Sequence, residues 1–256
     1  MSELPRFALT GQVALVTGAA RGLGRAIALA LADAGADIAL GLRDKGHDGG
    51  LADEISAMGR RVLPLQMDVT RLPEAYAAID EAIAHFGQID ILVNNAGGGI
   101  EAPVEAVTEA DFDATWSLNV RSAFFIAQRV GRHMIARGGG RIVNMASQAG
   151  FVALPGEAVY CLSKAAVVHM TRCMAVEWGR HGVAVNAVAP TFIRTDGTAD
   201  ALSDPLFEAD VVERIAALHR IGEPVEVAGA VVFLASPAAS MITGHTMLID
   251  GGWTAR

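Results

Sequence analysis

The chain has 256 residues, 52% of them hydrophobic and 19% charged, which suits a sizeable folded core and excludes a disordered polypeptide. Its 28 acidic residues outnumber 20 basic ones and leave a formal net charge of −8, so a nucleic-acid backbone or an anionic membrane surface is a poor partner. The two cysteines form no CxxC pair or zinc-spaced set, no apolar run approaches the ~18 residues of a membrane span, and positions 1–12 lack a basic-then-apolar leader, which makes the cytoplasm the expected compartment.

In chain order, apolar runs at 13–16, 37–42, 61–66, 89–93, 141–145, 183–188 and 246–249 read as strands. Between them, Ala-rich stretches at 25–34, 51–58, 71–86, 109–136, 157–178 and 224–235 carry helical periodicity. The strands are apolar on both faces, as in a sheet covered on both sides. Regular strand–helix alternation implies βαβ units. The expected fold is therefore α/β, a single Rossmann-type doubly wound parallel sheet of about seven strands with helices on both faces, in one domain over 1–256. The irregular stretch at about 190–215 follows a strand end, where ligands sit in open α/β sheets, and reads as a mobile substrate loop.

Thr17-Gly18-Ala19-Ala20-Arg21-Gly22-Leu23-Gly24 joins the first strand to the first helix. Glycines there let the backbone turn tightly and approach a pyrophosphate, while the helix N-terminus offers free N–H groups. A tight βα connection without a ligand has the same composition. Tyr160 and Lys164 are four apart in a helical stretch and so share a face. A nearby ammonium favours the phenolate and is expected to lower the tyrosine pKa from ~10, although a buried tyrosine one turn from a lysine is also common. Ser147 follows the fifth strand, where its hydroxyl either holds a substrate oxygen or caps a turn. Asn94 and Asn95 follow an apolar strand and suit turn formation; Asp68 suits a helix cap.

The glycine turn, Asn94-Asn95-Ala96-Gly97, Ser147 and Tyr160-Cys161-Leu162-Ser163-Lys164 occur in the order and spacing of the short-chain dehydrogenase/reductase family, which the chain resembles over essentially its whole length. The resemblance implies an NAD(P)-dependent enzyme moving a hydride between the cofactor and a secondary alcohol or ketone. It implies Asn119, Ser147, Tyr160 and Lys164 as catalytic residues. Tyr160 would be the acid–base, Ser147 would hold the substrate oxygen, Lys164 would hold the nicotinamide ribose, and Asn119 would support a water chain. Cofactor contacts are implied at Gly18, Arg21, Gly22, Leu23, Gly24, Arg43, Asp68, Val69, Asn95, Ala96, Gly97, Tyr160, Lys164, Pro190, Ile193 and Thr195.

An acid at the end of the second strand selects NAD, and basic residues admit the NADP phosphate. By family spacing Leu42 holds the acid's position, with Arg43 beside it and Arg21 in the turn, so NADP is favoured over NAD. Asp44 lies about 20 residues past Gly24 and becomes the NAD-selecting acid under a small register shift. Where the family commonly has Pro-Gly the chain has Pro190-Thr191, which is expected to reshape that loop. Residues 174–181, 203–205 and 250–253 resemble the gluconate 5-dehydrogenase branch, acting on sugar acids and polyols, with the 3-ketoacyl-carrier-protein reductase branch nearly as similar. A homotetramer is implied. The contrasting reading is a non-catalytic nucleotide-binding sensor or scaffold, which could keep the glycine turn without the four reactive residues.

Overall fold

The structure, a computed structural model, describes residues 6–255; positions 1–5 and 256, included in the expected leader-free start and in the 1–256 domain, lie outside the described residues. The strands are β1 (Val13–Thr17), β2 (Asp37–Leu42), β3 (Val62–Gln66), β4 (Ile91–Asn94), β5 (Gly140–Met145), β6 (Val183–Pro190) and β7 (Thr246–Ile249). They form one sheet in the order β3-β2-β1-β4-β5-β6-β7, and every neighbouring pair is parallel. The order reverses between β1 and β4, so the connections leaving their carboxyl ends diverge and open a crevice.

The helices are α1 (Gly22–Asp33), α2 (Leu51–Ala57), α3 (Leu72–Phe86), α4 (Glu109–Trp116), α5 (Ser122–Arg137), α6 (Ala158–Trp178), α7 (Ala199–Leu202), α8 (Pro205–Arg214) and α9 (Pro224–Ala235). Ile27, Leu31, Ile55 and Val231 from α1, α2 and α9 pack with Val16, Ile38 and Val143 on one face of the sheet. Ile79, Ile126 and Val167 from α3, α5 and α6 pack with Leu15, Leu92 and Ile142 on the other. Each fully buried aliphatic side chain contributes roughly 1.5–3 kcal/mol, which is why β1 and β6, buried at every position, carry no charge. Left-handed Gly87 and Gly138 end α3 and α5. Pro224 and a capping box between Glu223 and Glu226 start α9.

Two segments differ from the sequence expectation. The helix expected over 109–136 is two helices, α4 and α5, joined by a π-helical turn at Ser117–Arg121. The helix before that turn buries only Thr115, so no apolar stripe on its N-terminal side marks the break. The stretch at 190–215 contains α7 and α8, which rest on a small separate core of Leu202, Val211, Ile215, Ile221 and Trp253. Phe192 stacks on Trp253 at 5.9 Å and meets Phe207 edge-on at 5.6 Å.

Candidate active site

The connections leaving β1 to β6 enclose a cavity of about 600 Å³ at the carboxyl edge of the sheet. Its floor is the glycine turn. Gly18 and Gly22 adopt φ of +65° and +54°, a region that L side chains disfavour. A Cβ on Gly24 would overlap the Gly18 carbonyl oxygen. The α1 N-cap, Arg21, makes no side-chain cap, and the first turn of α1 holds no carboxylate. The first N–H groups of α1 and its positive dipole end are thus left for an anion, and this cradle fits a pyrophosphate.

The two asparagines after β4 divide the work of holding this floor. Asn95 Nδ2 donates to the carbonyls of Thr17 at 2.9 Å and Gly18 at 3.2 Å. Thr17 Oγ1 accepts the N–H groups of Asn95 and Ala96 at 3.0 and 3.1 Å. Asn94 instead donates to Asn144 Oδ1 at 3.0 Å and to the Ala123 carbonyl at 3.1 Å, and Asn144 passes the chain on to Thr171. Asn94 is therefore a buried tie between β4 and β5, whereas Asn95 shapes the cavity.

Ser147, Tyr160 and Lys164 line one wall of the same cavity. Tyr160 and Lys164 do share a face of α6, with Lys164 Nζ 5.5 Å from the phenol ring centroid. Lys164 is 4% exposed and donates to the Met145 carbonyl at 2.8 Å. Ser147 Oγ accepts from Ala149 N at 3.1 Å and donates to Gln148 Oε1 at 2.8 Å, so it caps a short turn, and it is near enough to Tyr160 to favour the phenolate. Asn119, 2% exposed, lies behind the wall. Its Oδ1 accepts from Gly98 N at 3.0 Å, and its Nδ2 donates to the Gly98 carbonyl and to Ser163 Oγ, each at 2.8 Å. The π-helical turn is what directs it there.

The expected lowering of the Tyr160 pKa is corrected by this environment. Burial pushes the phenol up to about 12; Ser147 pulls the other way, and Glu157 and Cys161 add to the rise. Burial also pushes Lys164 down to about 8. Both charged forms lose hydration in the same wall, and that loss is the largest influence on each.

Every residue expected at the cofactor, from Gly18 in the turn to Thr195 beyond β6, lines the cavity; of the four residues expected at the reaction centre only Asn119 does not. Arg21 and Arg43 lie on this lining together with Leu42, at the end of β2. Asp44 is absent from it. Its carboxylate accepts Gly46 N–H at 3.0 Å and meets His47 Nδ1 at 2.7 Å, contacts that hold its pKa below the ordinary carboxylate value. Asp68 lines the cavity while accepting from Thr70 N and Oγ1 at 3.0 and 2.7 Å; the cap position of α3 belongs to Arg71. Met67, Thr70, Gly98, Leu118, Thr191 and Thr198 also line the cavity and were not singled out as site residues. Met67 and Thr70 flank Asp68 just past a strand end, the one signal that could have found them. Thr191, where glycine is usual, has an ordinary negative φ, since His219 is the only non-glycine with positive φ among the described residues. The loop geometry therefore does not require glycine there.

The chain belongs to the short-chain dehydrogenase/reductase family. A family model described as enoyl-(acyl carrier protein) reductase matches residues 18–254. The chain is 41% identical over 254 residues to 2-dehydro-3-deoxy-D-gluconate 5-dehydrogenase of Escherichia coli, covering 99% of each. It is 41% identical over 248 residues to an NAD-dependent glycerol dehydrogenase of Listeria innocua, covering 97% of this chain and 96% of the other. Among solved structures, a gluconate 5-dehydrogenase from Burkholderia cenocepacia in complex with NADP and tartrate superposes with a TM-score of 0.94 at 38% identity, covering 98% of each chain. The protein is accordingly an NAD(P)-dependent oxidoreductase acting on CH–OH groups, interconverting a secondary alcohol and a ketone.

Proposed function

We propose that the protein is an NADP(H)-dependent dehydrogenase of polyols or related hydroxy compounds in which Tyr160 is the acid–base. The observation that carries this reading is the placement of Ser147, Tyr160 and Lys164 on one wall of the cavity whose floor is the glycine turn. The nicotinamide, when bound, supplies or accepts the hydride. Tyr160 gives its proton to the carbonyl oxygen in reduction and takes it from the hydroxyl in oxidation. A phenol with its pKa raised is protonated at neutral pH, which suits the donor role in reduction; acting as base in oxidation requires that proton to leave first. Ser147 Oγ holds the substrate oxygen and stabilises the charge developing there. Lys164 binds ribose hydroxyls from the wall and supplies the positive charge nearest the phenol. Asn119 fixes the Gly98 segment and Ser163 behind them.

The preference for NADP is supported by the two guanidiniums of Arg21 and Arg43 on the cavity lining beside Leu42, and by Asp44 being engaged with Gly46 and His47 instead. Exposed Phe112, Trp116, Phe124 and Leu162 on α4–α6, and Val176, Met241 and Leu248 near the β7 edge, support association into a homotetramer. Unpaired Cys161 and Cys173 suit a reducing cytoplasm, and no described helix is long and apolar enough to cross a membrane. The segment at 190–215 is the lid over the substrate end, held by its own small core, and its mobility is part of this proposal.

The test is a panel of polyols, sugar acids, ketoacyl thioesters and simple ketones run with NADPH and NADH in parallel. Turnover with NADPH favoured is the expected result. A clear NADH preference refutes the roles given to Leu42 and Arg43. Tight cofactor binding with no turnover anywhere in the panel refutes the enzyme and leaves a binding module.

A further inference from the structure

The charges around the cavity are unevenly distributed. At the cofactor end lie Arg21 and Arg43. At the Tyr160 end the bordering segments are acidic, with their carboxylates off the lining itself. Between Asn95 and Val120 there are five carboxylates and no lysine, arginine or histidine. Between Pro190 and Ile215 there are six carboxylates and two guanidiniums. Both guanidiniums are already paired: Arg194 with Glu208 at 3.0 Å and Glu223 at 3.8 Å, and Arg214 with Asp210 at 2.7 Å. On the lining itself the only other cation is Lys164, which is buried and bonded to Met145.

One of these carboxylates, Glu101, and a further one, Glu157, are brought toward the phenol by the backbone. Gly99 packs against Tyr160 so closely that an added Cβ would lie 3.0 Å from Tyr160 Cβ. Three residues on, Ala102 N donates to the Gly156 carbonyl at 2.9 Å, and Ala102 bridges Glu157. Glu101 and Glu157 thus sit on two strapped segments, and Glu157 is half-buried at the start of α6, three residues before Tyr160. Burial first, and Glu101 second, raise the Glu157 carboxyl above its ordinary value, and Glu157 in turn raises Tyr160. The negative potential therefore reaches the reacting phenol. Thr191, whose Oγ1 has no hydrogen-bond partner in the structure, lines the same cavity and adds a hydroxyl rather than a charge.

We propose that this enzyme selects uncharged polyols and their ketone products over sugar acids, and that Glu157, with Glu101 and the acidic 196–213 segment, is the element that excludes a substrate carboxylate. The proposal rests on the dehydrogenase reading above and narrows its substrate class. A substrate carboxylate near Tyr160 would meet like charge, and the one cation of that wall, Lys164, is buried and already bonded to the Met145 carbonyl, whereas hydroxyl groups lose nothing there. In a cleft of this kind the summed field acts on both binding and encounter.

The experiment compares a matched pair, the alditol D-glucitol and the aldonate D-gluconate, with cyclic triols and tetritols as further neutral probes. The expected result is a kcat/KM for the best neutral polyol at least roughly tenfold above that for gluconate at low ionic strength, with the gap narrowing in added salt. Glu157→Gln is expected to raise the gluconate-to-polyol ratio of kcat/KM roughly fivefold. Glu101→Gln, an exposed change that leaves the fold intact, raises the same ratio by a smaller factor. Gluconate matching or exceeding the best polyol in the wild type overturns the proposal, as does a ratio unmoved by both variants. Gluconate turned over with polyols refused sinks this inference while sparing the dehydrogenase. Cofactor binding with no substrate of either class oxidised sinks both.

Discussion

Asn119 grips both backbone groups of Gly98, accepting from its N–H at 3.0 Å and donating to its carbonyl at 2.8 Å. Gly98 lies on the cavity wall and Asn119 does not. The contact therefore ties the π-helical turn between α4 and α5 to the strand end that faces the reacting groups. A Cβ on the preceding Gly97 would meet Asn119 Oδ1 at 3.0 Å and Lys164 Nζ at 3.1 Å, which shows how little slack separates this layer from the centre.

Loss of that grip should act on positioning. Asn119→Ala is expected to lower kcat roughly 100-fold, while the dissociation constant for NADPH changes less than about threefold, within the ~0.7 kcal/mol scale of a weak contact. Asn119→Asp keeps the acceptor toward Gly98 N–H but cannot donate to Gly98 or Ser163, and should fall between the two. Steady-state kinetics paired with fluorescence titration of the cofactor separates the two readouts. Equal losses in binding and turnover would assign Asn119 to stability alone.

Cofactor choice should respond to the end of β2. Arg43→Ala is expected to raise the KM for NADPH roughly 10–100-fold, the scale of one charge-assisted contact, and to leave the KM for NADH nearly unchanged. Adding Leu42→Asp should carry the preference over to NADH. Kinetics with each cofactor checks both. An equal effect on the two cofactors would place the Arg43 side chain away from the 2′-phosphate.

Burial of Lys164 gives stability a defined pH dependence. Its folded pKa of about 8 lies below the ordinary 10.5. Between those values the unfolded chain holds the proton that the folded chain has released. Stability contributed at this site is therefore lowest below pH 8 and rises as pH approaches 10.5. A shift of this size corresponds to roughly 3 kcal/mol. Lys164→Met lacks the effect, so denaturant unfolding of the two proteins from pH 7 to 10 should show the wild type gaining on the variant. Parallel curves would mean that the ammonium is not desolvated.

The sheet was legible because each strand is short, apolar and bounded by glycine or by charged helices, and the observed ends fall within a residue or two of the expected ones. The cavity was legible because its contributors follow strand ends in recognisable clusters: Gly18 to Gly24, Asn95 to Gly97, Ser147, and Tyr160 with Lys164. Three features depended on contacts distant in sequence. The π-helical turn at Asn119 follows a helix that buries only Thr115, so no apolar stripe marks it. The helices α7 and α8 are short and rich in carboxylates, and they owe their stability to Trp253 and Ile221, far along the chain. The raised pKa of Tyr160 depends on how much of its phenol the fold shields from water, whereas spacing conveys only that Lys164 is near.

Replacing Tyr160 with Phe tests the acid–base assignment with the least change in shape. The account predicts that turnover of the best alcohol and ketone falls roughly 1,000-fold or more, on the scale of a lost general acid–base, while NADPH binds with its wild-type affinity. A variant that keeps a tenth or more of the wild-type rate would contradict it.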